Sequence, residues 1–228
     1  PALSEGQGVW QKSKGWPFGW EIFYWKDGAS KQLTTNFYYD MAPKIHGSQM
    51  TWYGWDGRDF EIFHFDTSSE KISTITSNRY DDVAPVIWNG EIAWEGYQSA
   101  EADIYLYHST ANTNGQLVKT VTKISENPED DINPRIWDGK VVWQGFDGDD
   151  FEIYYYDGKR TRKLTANNYD DTNPDIRDGV ITWQGYKDNW DAEIFACAIA
   201  GSGFGPCLQT PYQLQSGNLL RFQLQWSF

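Results

Sequence analysis

A chain of 228 residues with 32 acidic against 19 basic side chains carries a formal charge of −13. That argues against nucleic acid as a partner, since phosphates need a basic footprint, and against unaided docking on an anionic membrane. No apolar run approaches the ~18–20 residues of a transmembrane helix, and 39 Trp, Tyr and Phe in a chain of mean hydropathy −0.67 describe β-structure with many polar turns.

The chain reads as five repeats, at approximately residues 1–42, 43–84, 85–133, 134–173 and 174–228, expected to form a single domain. Trp10, Trp52, Trp94, Trp143 and Trp183 are spaced by 42, 42, 49 and 40 residues. A proline stands nine positions before each: Pro1, Pro43, Pro85, Pro134 and Pro174. An acidic residue followed by Ile opens a third strand at Glu21, Glu61, Asp103, Glu152 and Glu193. Unit one departs from the pattern at SKGWPFGW, which puts Trp16, Phe18 and Trp20 in or beside a loop. Unit two is regular. Unit three is longer because its third-to-fourth connection, HSTANTNGQ, reads as an extended loop and ENPEDD lengthens its exit.

Unit four is the template. Its strands are expected at Pro134–Trp137, Lys140–Phe146, Phe151–Tyr156 and Arg162–Thr165, separated by turns at Asp138-Gly139, Asp147-Gly148 and Asp157-Gly158. Unit five drifts after Cys197 into a Gly-rich hairpin and a tail, Leu219–Ser227, that alternates like one more strand. The tail either completes a blade or covers an outer edge. A period of about 40–45 residues with four strands per repeat is a propeller signature. The predicted fold is a five-bladed β-propeller of four-stranded antiparallel blades.

The entry PRIWDG (Pro134–Gly139), the strand DFEIY (Asp150–Tyr154) and the exit KLT (Lys163–Thr165) resemble TolB-like β-propeller repeats of bacterial envelope and secreted proteins. The resemblance runs from Pro1 to about Pro211. It implies the fold and an extracellular or periplasmic location. It implies no single function, because such propellers serve as binding modules, enzyme domains and assembly platforms. No signal peptide is present, and Pro1 already stands at a repeat anchor, so the chain is expected to follow a processed segment. Cys197 and Cys207, on neighbouring strands of unit five, are expected to form a disulfide, which fits an oxidising compartment; two buried thiols are the alternative.

In a propeller, the turns between second and third strands share one face with the exits into the next blade. That face collects the candidate ligand-binding residues: Asp56, Asp147 and Asp150 from the turns, with Tyr39, Asp40, Tyr80, Asp82, Tyr169 and Asp171 from the exits. A carboxylate-rich rim suits Ca²⁺, although DGDD at Asp147–Asp150 lacks the spacing of an EF-hand loop. Aromatic rings beside Asp and Asn suit sugars. Units two and four are expected to hold the best-formed copies. Unit three, with Gln98–Ala102 as its turn and Glu129 for the exit Tyr, is expected to hold a weak one or none. The structural alternative is that Asp40, Asp82, Asp131 and Asp171 satisfy backbone N–H groups at the blade entries, and that the Asp-Gly pairs are turn chemistry. The polar residue after each Trp (Gln11, Tyr53, Glu95, Gln144, Gln184) would face a neighbouring strand.

Catalysis has little support. His46 falls in a turn, His64 in a strand and His108 at a loop start, and Gly201-Ser202-Gly203 lacks the strand-to-helix context of a phosphate loop. No cofactor is implied other than Ca²⁺. The expected function is a non-catalytic binding or scaffolding propeller with a glycan or protein partner. The alternatives are a structural subunit of an extracellular or membrane-associated assembly, and a polysaccharide-acting hydrolase, which would need two carboxylates in one cleft.

Overall fold

The computed structural model describes residues 1–15, 19–111, 113–114, 116–188 and 191–199. They form 19 strands in five antiparallel sheets, with no helix among them. The first sheet holds β1 (Ala2–Ser4), β2 (Gln7–Ser13), β3 (Trp20–Lys26) and β4 (Ala29–Gln32). The second holds β5 (Asp40–His46), β6 (Gln49–Trp55), β7 (Phe60–Asp66) and β8 (Lys71–Thr74). The third holds β9 (Asp82–Trp88), β10 (Glu91–Gly96), β11 (Asp103–Ala111) and β12 (Leu117–Lys123). The fourth holds β13 (Asp131–Trp137), β14 (Lys140–Phe146), β15 (Phe151–Tyr156) and β16 (Thr161–Lys163). The fifth holds β17 (Asp171–Arg177), β18 (Val180–Asp188) and β19 (Asp191–Ala198).

Within each sheet the strands follow chain order, and each first strand lies against the next: β1 on β5, β5 on β9, β9 on β13, β13 on β17. The row curves. Lys44 on β5 feels the charge of Arg135 on β13, two sheets away, and His46 feels that of Arg177 on β17. Burial is the larger influence on both, lowering the Lys44 ammonium and the His46 imidazole below their usual ranges.

The repeated tryptophan organises every sheet. In cross-strand register it faces an aromatic residue: Trp10 opposite Phe23, Trp52 opposite Phe63, Trp94 opposite Tyr105, Trp143 opposite Tyr154, and Trp183 opposite Phe195. The five pairs stack with centroids 5.7–5.9 Å apart and interplanar angles of 13–19°. Such pairs stabilise beyond the area they bury. Trp52, Trp94, Trp143 and Trp183 are buried as expected, at the interfaces between sheets.

An indole buried this deeply must place its N–H. The acceptor is the aspartate that opens the sheet: Trp52 Nε1 donates to Asp40 Oδ1 at 2.9 Å, Trp94 to Asp82 at 2.7 Å, Trp143 to Asp131 at 2.6 Å and Trp183 to Asp171 at 3.0 Å. An Asn four residues earlier, at 36, 78, 127 and 167, donates its amide to the same carboxylate. The aspartates therefore hold side-chain donors, where the sequence pointed to backbone N–H groups. The glycine two residues after each of these Trp makes room for the carboxylate. A Cβ at Gly54, Gly96, Gly145 or Gly185 would collide with the Asp oxygen and the stacked ring.

Neighbouring sheets are tied by the polar residue that follows the Trp. Gln11 Oε1 accepts from the Ala42 amide at 2.6 Å, Glu95 Oε1 from Asn133 at 2.7 Å, and Gln144 Oε1 from Asn173 at 2.9 Å. The three donors sit at positive φ (49°, 60° and 50°) directly before the repeated proline. In units two, four and five the register shifts there. The bulge turns an amide that would otherwise pair along the ladder toward the preceding sheet.

Three local expectations change. In the second to fifth sheets the first strands begin at the entry aspartate, three residues before the proline; Asp131, for example, pairs with Gly145 ahead of the bulge. The fourth strand of unit four is Thr161–Lys163 rather than Arg162–Thr165. In unit three, His108–Ala111 continue β11 and pair with Leu117–Thr120, so much of HSTANTNGQ is strand, built on β-branched Thr110, Val118 and Thr120. His108 thus lies inside a strand, and His46 is the last residue of β5 rather than a turn residue. Trp20 opens β3, while Trp16, Phe18, Trp190, Cys207, Gly201–Gly203 and the tail Leu219–Ser227 lie outside the described residues.

Burial raises the entry carboxyls: Asp82 and Asp171 to about 6, and Asp131 to about 7. For Asp131 burial is the first cause and the Asp103 carboxylate adds to it; Trp143 and Asn127 both donate to Oδ1, and buried Oδ2 has no partner among the described residues. A carboxyl whose folded pKa lies above its unfolded value of about 3.9 favours the fold fully below that value, and the contribution is lost as pH rises through the folded pKa. Urea midpoints should therefore fall between about pH 4 and pH 7, and Asp131→Asn should flatten that slope. Trp143→Ala should cost about 3–5 kcal/mol, read from urea unfolding at fixed pH.

Candidate functional site

The face expected from the topology forms. Asp81 Oδ1, in the exit of unit two, accepts from the Phe60 amide at 3.0 Å. Asp130 does the same for Ala102 at 2.8 Å, and Asp170 for Phe151 at 3.0 Å. Each exit thus caps the start of its own third strand, which brings turn and exit together.

The candidate residues divide into two groups. Asp40, Asp82 and Asp171 are buried in the Trp–Asn network, away from solvent. The exit tyrosines lie nearer the surface. The Asn side chain that donates to each entry Asp also accepts from the backbone two residues on, at Tyr38, Tyr80, Glu129 and Tyr169. By that register Tyr38 is the counterpart of Tyr80 and Tyr169, and Tyr39 takes the place of Asp81 and Asp170. The Asn anchor is the signal in the sequence that distinguishes them. Tyr80 lies against Tyr105, centroids 6.4 Å apart, and burial foremost raises its phenol. The Tyr169 phenol is raised for the same first reason.

Unit one adds an exposed aromatic ridge. Trp20, Phe37, Tyr38 and Tyr39 are 36%, 72%, 43% and 48% exposed. Trp20 bridges to Tyr39 through the backbone. The Tyr38 hydroxyl approaches Gly57, so the ridge abuts the acidic turn of unit two.

Two acidic turns share one construction. Asp56 Oδ1 accepts from the amides of Arg58 (2.8 Å) and Asp59 (3.2 Å); Asp147 Oδ1 accepts from those of Asp149 (3.0 Å) and Asp150 (3.3 Å). These bonds lower the Asp56 carboxyl. Asp147 is held down to about 2, first by the hydrogen bond from Lys163. Behind each turn lie two further acids, forming the groups Asp56–Asp59–Glu61 and Asp147–Asp150–Glu152. One carboxylate oxygen of each lies within 4.8 Å of the others in its group. Burial raises the Asp59, Asp150 and Glu61 carboxyls, and their acidic neighbours add to it. These two groups could hold a hard cation. Asp56, Asp147 and Asp150 were legible from the sequence, whereas Glu61 and Glu152 had been read as strand-opening positions.

A second cleft, absent from the sequence reading, lies between units three and four and encloses about 300 Å³. Its wall carries Glu91, His108, Asp138 and Asp157, and His108 Nδ1 lies 2.5 Å from Glu91 Oε1. Asp138 and Asp157 belong to turns of the opposite face, so this cleft is separate from the acidic turns.

No family model matches the chain, and no curated protein matches it. Solved structures do. TolB from Acinetobacter baumannii aligns at 14% identity with a TM-score of 0.58, covering 90% of this chain and 53% of that one. A putative TolB from Agrobacterium tumefaciens aligns at 13% identity and a TM-score of 0.56, covering 81% and 72%. A puromycin-hydrolysing peptidase from Mycobacterium tuberculosis aligns at 12% and 0.62, covering 89% of this chain and 36% of the peptidase. The chain therefore spans about half the length of the A. baumannii protein and about a third of the peptidase. At these identities the likeness speaks for architecture alone: five antiparallel sheets arranged like propeller blades, similar to those of the TolB structures.

Proposed function

We propose that this chain is a non-catalytic binding propeller that works outside the cytoplasm and recognises a carbohydrate on its acidic, aromatic face. The observation that carries this is the set of exposed aromatic side chains Trp20, Phe37, Tyr38 and Tyr39, with the Tyr38 hydroxyl against Gly57 in the acidic turn that holds Asp56. Sugar rings stack on aromatic faces, and their hydroxyls donate to carboxylates. In water a large aromatic side chain is normally buried, so four exposed together mark a recognition surface. Among the earlier candidates, Tyr39 and Asp56 belong to this surface. Tyr80, Tyr169, Asp147 and Asp150 would form poorer copies, and Asp40, Asp82 and Asp171 act by holding the blades.

The same proposal covers the assembly of the fold. The five sheets form the blades of one ring. Cys197, buried on β19, pairs with Cys207 and ties the fifth blade together, in keeping with an oxidising compartment. A second reading, a protein-binding platform, draws on the likeness to TolB and to the propeller of a peptidase. It would use the same ridge with a peptide in place of a sugar.

A glycan array probed with the wild-type chain and with Tyr38→Ala and Tyr39→Ala decides between these readings. The carbohydrate reading expects glycan signals that fall at least about tenfold in both variants, whose melting temperatures stay near wild type because exposed side chains contribute little to stability. Asp82→Ala should instead lower the melting temperature. An array with no signal above background sinks the carbohydrate reading. For the disulfide, intact mass without reductant should lie about two hydrogens below the dithiol value; alkylation of both cysteines in unreduced protein would refute the pairing.

A further inference from the structure

We propose that the turn Asp56–Glu61 of the second blade is a divalent-cation site that takes Ca²⁺, with Asp56, Asp59 and Glu61 as its protein ligands. The argument rests on buried carboxylates without partners, and on what the other blades place at the same position.

Asp59 is only 5% exposed, yet neither of its carboxylate oxygens accepts a hydrogen bond among the described residues. Glu61 is 1% exposed; Oε1 accepts from the Asn78 amide at 2.7 Å, and Oε2 has no partner among the described residues. Both point into one group with Asp56. Buried carboxylates are ordinarily paired or bound to metal. Leaving them ionised and unpaired costs several kcal/mol per ion.

Blades three and four neutralise the equivalent acid with lysine. In blade three Lys123 Nζ lies 2.7 Å from Asp103 Oδ2. In blade four Lys163 Nζ lies 2.5 Å from Asp147 Oδ2 and 3.5 Å from Glu152 Oε1. In blade one burial raises the Glu21 carboxyl, and the charge of Lys14, which donates to Gln32 Oε1 at 2.9 Å, opposes that rise. Cross-strand register makes the positions equivalent: Tyr105 faces Lys123, Tyr154 faces Lys163, Phe23 faces Gln32, and in blade two Phe63 faces Thr74. Blade two thus has three clustered acids and a threonine where its neighbours place an ammonium or the amide that holds one. Arg58, exposed, has Nη2 4.0 Å from the Asp56 carboxylate.

The donor set decides the kind of ion. Three carboxylates with no nitrogen or sulfur are hard oxygen ligands, which suit Ca²⁺ or Mg²⁺ over softer metals. Asp56 is exposed and opens the group to solvent, leaving room for the waters that complete six to eight ligands around Ca²⁺. In blade four the Lys163 ammonium supplies positive charge to Asp147 and Glu152, while Asp150 Oδ1 and Glu152 Oε2 keep no partner among the described residues.

The test is calorimetric titration of the wild-type chain with CaCl₂ after EDTA treatment, paired with thermal melts. Expected is one Ca²⁺ per chain, with Kd on the order of 10⁻⁵ to 10⁻³ M, weaker binding of Mg²⁺, and a melting temperature that rises with Ca²⁺. Asp59→Asn and Glu61→Gln should each weaken binding at least about tenfold. In EDTA, Asp59→Asn should melt at or above wild type, because it removes a buried charge, and in Ca²⁺ the order should reverse. Lys163→Thr should raise the stoichiometry to two by freeing Asp147, Asp150 and Glu152. No heat and no change in melting at millimolar Ca²⁺, or an Asp59→Asn chain that binds like wild type, overturns the proposal. So does an Asp59→Asn chain that melts below wild type both with and without Ca²⁺, which would make Asp59 a purely structural acid. None of these readouts involves a glycan, so the site stands or falls apart from the carbohydrate reading.

Discussion

The bond from a buried indole N–H to a buried carboxylate constrains everything else in this fold. Tryptophan supplies each blade with its largest apolar surface, but its nitrogen cannot be left without an acceptor in the interior. The entry aspartate provides one, made from Asp40 to Trp52 and again at each blade to Asp171 and Trp183. That choice then dictates its own neighbourhood. An Asn amide must reach the carboxylate, a glycine must clear space for it, and a stacked Phe or Tyr must hold the indole in register. A change at any one of these positions leaves a buried polar group unsatisfied or a ring misplaced. The interior repeats because it has little freedom to do otherwise, and variation between blades is pushed into the turns.

Charge is where the blades differ most. Every third strand of the first four blades opens with a buried acid, Glu21, Glu61, Asp103 or Glu152. Each accepts from a nearby hydroxyl or amide, as Glu21 does from Thr34 and Glu152 from Asn167. Hydrogen bonds do not remove the charge, however, and the low dielectric around it makes the remainder expensive. Blades three and four meet the cost with Lys123 and Lys163, which reach across from the fourth strand. Blade two has Thr74 there and adds Asp59 to the cluster, so its need for a counter-charge is greater and its internal supply is smaller.

Much of the fold was legible because aromatic and proline spacing survive translation into structure unchanged. Trp52, Trp94, Trp143 and Trp183 were expected in the core and lie there. Strand starts were misplaced by three residues because a proline reads as a strand entry, whereas here it follows a bulge whose positive φ lies inside the strand. Gln11, Glu95 and Gln144 were expected to face a neighbouring strand, without a partner named. Their partners lie 31, 38 and 29 residues away on another sheet, and no local pattern names them. Tyr38 was passed over for Tyr39 because both precede Asp40, and only the Asn36 contact distinguishes them. The meaning of Thr74 was hidden for a different reason. An absent lysine is a signal only once cross-strand register says which residues share its position.

The aromatic ridge and the acidic turn are physically joined, which bears on how a ligand would be held. The Tyr38 hydroxyl rests over Gly57, whose φ of 110° is open to glycine and strained for other residues. Gly57 belongs to the turn whose backbone amides Asp56 gathers onto its carboxylate. An ion drawing Asp56, Asp59 and Glu61 together would therefore act on the same few residues that seat Tyr38. Aromatic recognition depends on the ring being held in one orientation before contact, since ordering it afterwards subtracts from affinity. By this geometry a cation and a sugar would occupy adjoining parts of one surface. The ion's contribution to binding would come through a stiffer turn beneath the ring, without any bond from metal to ligand.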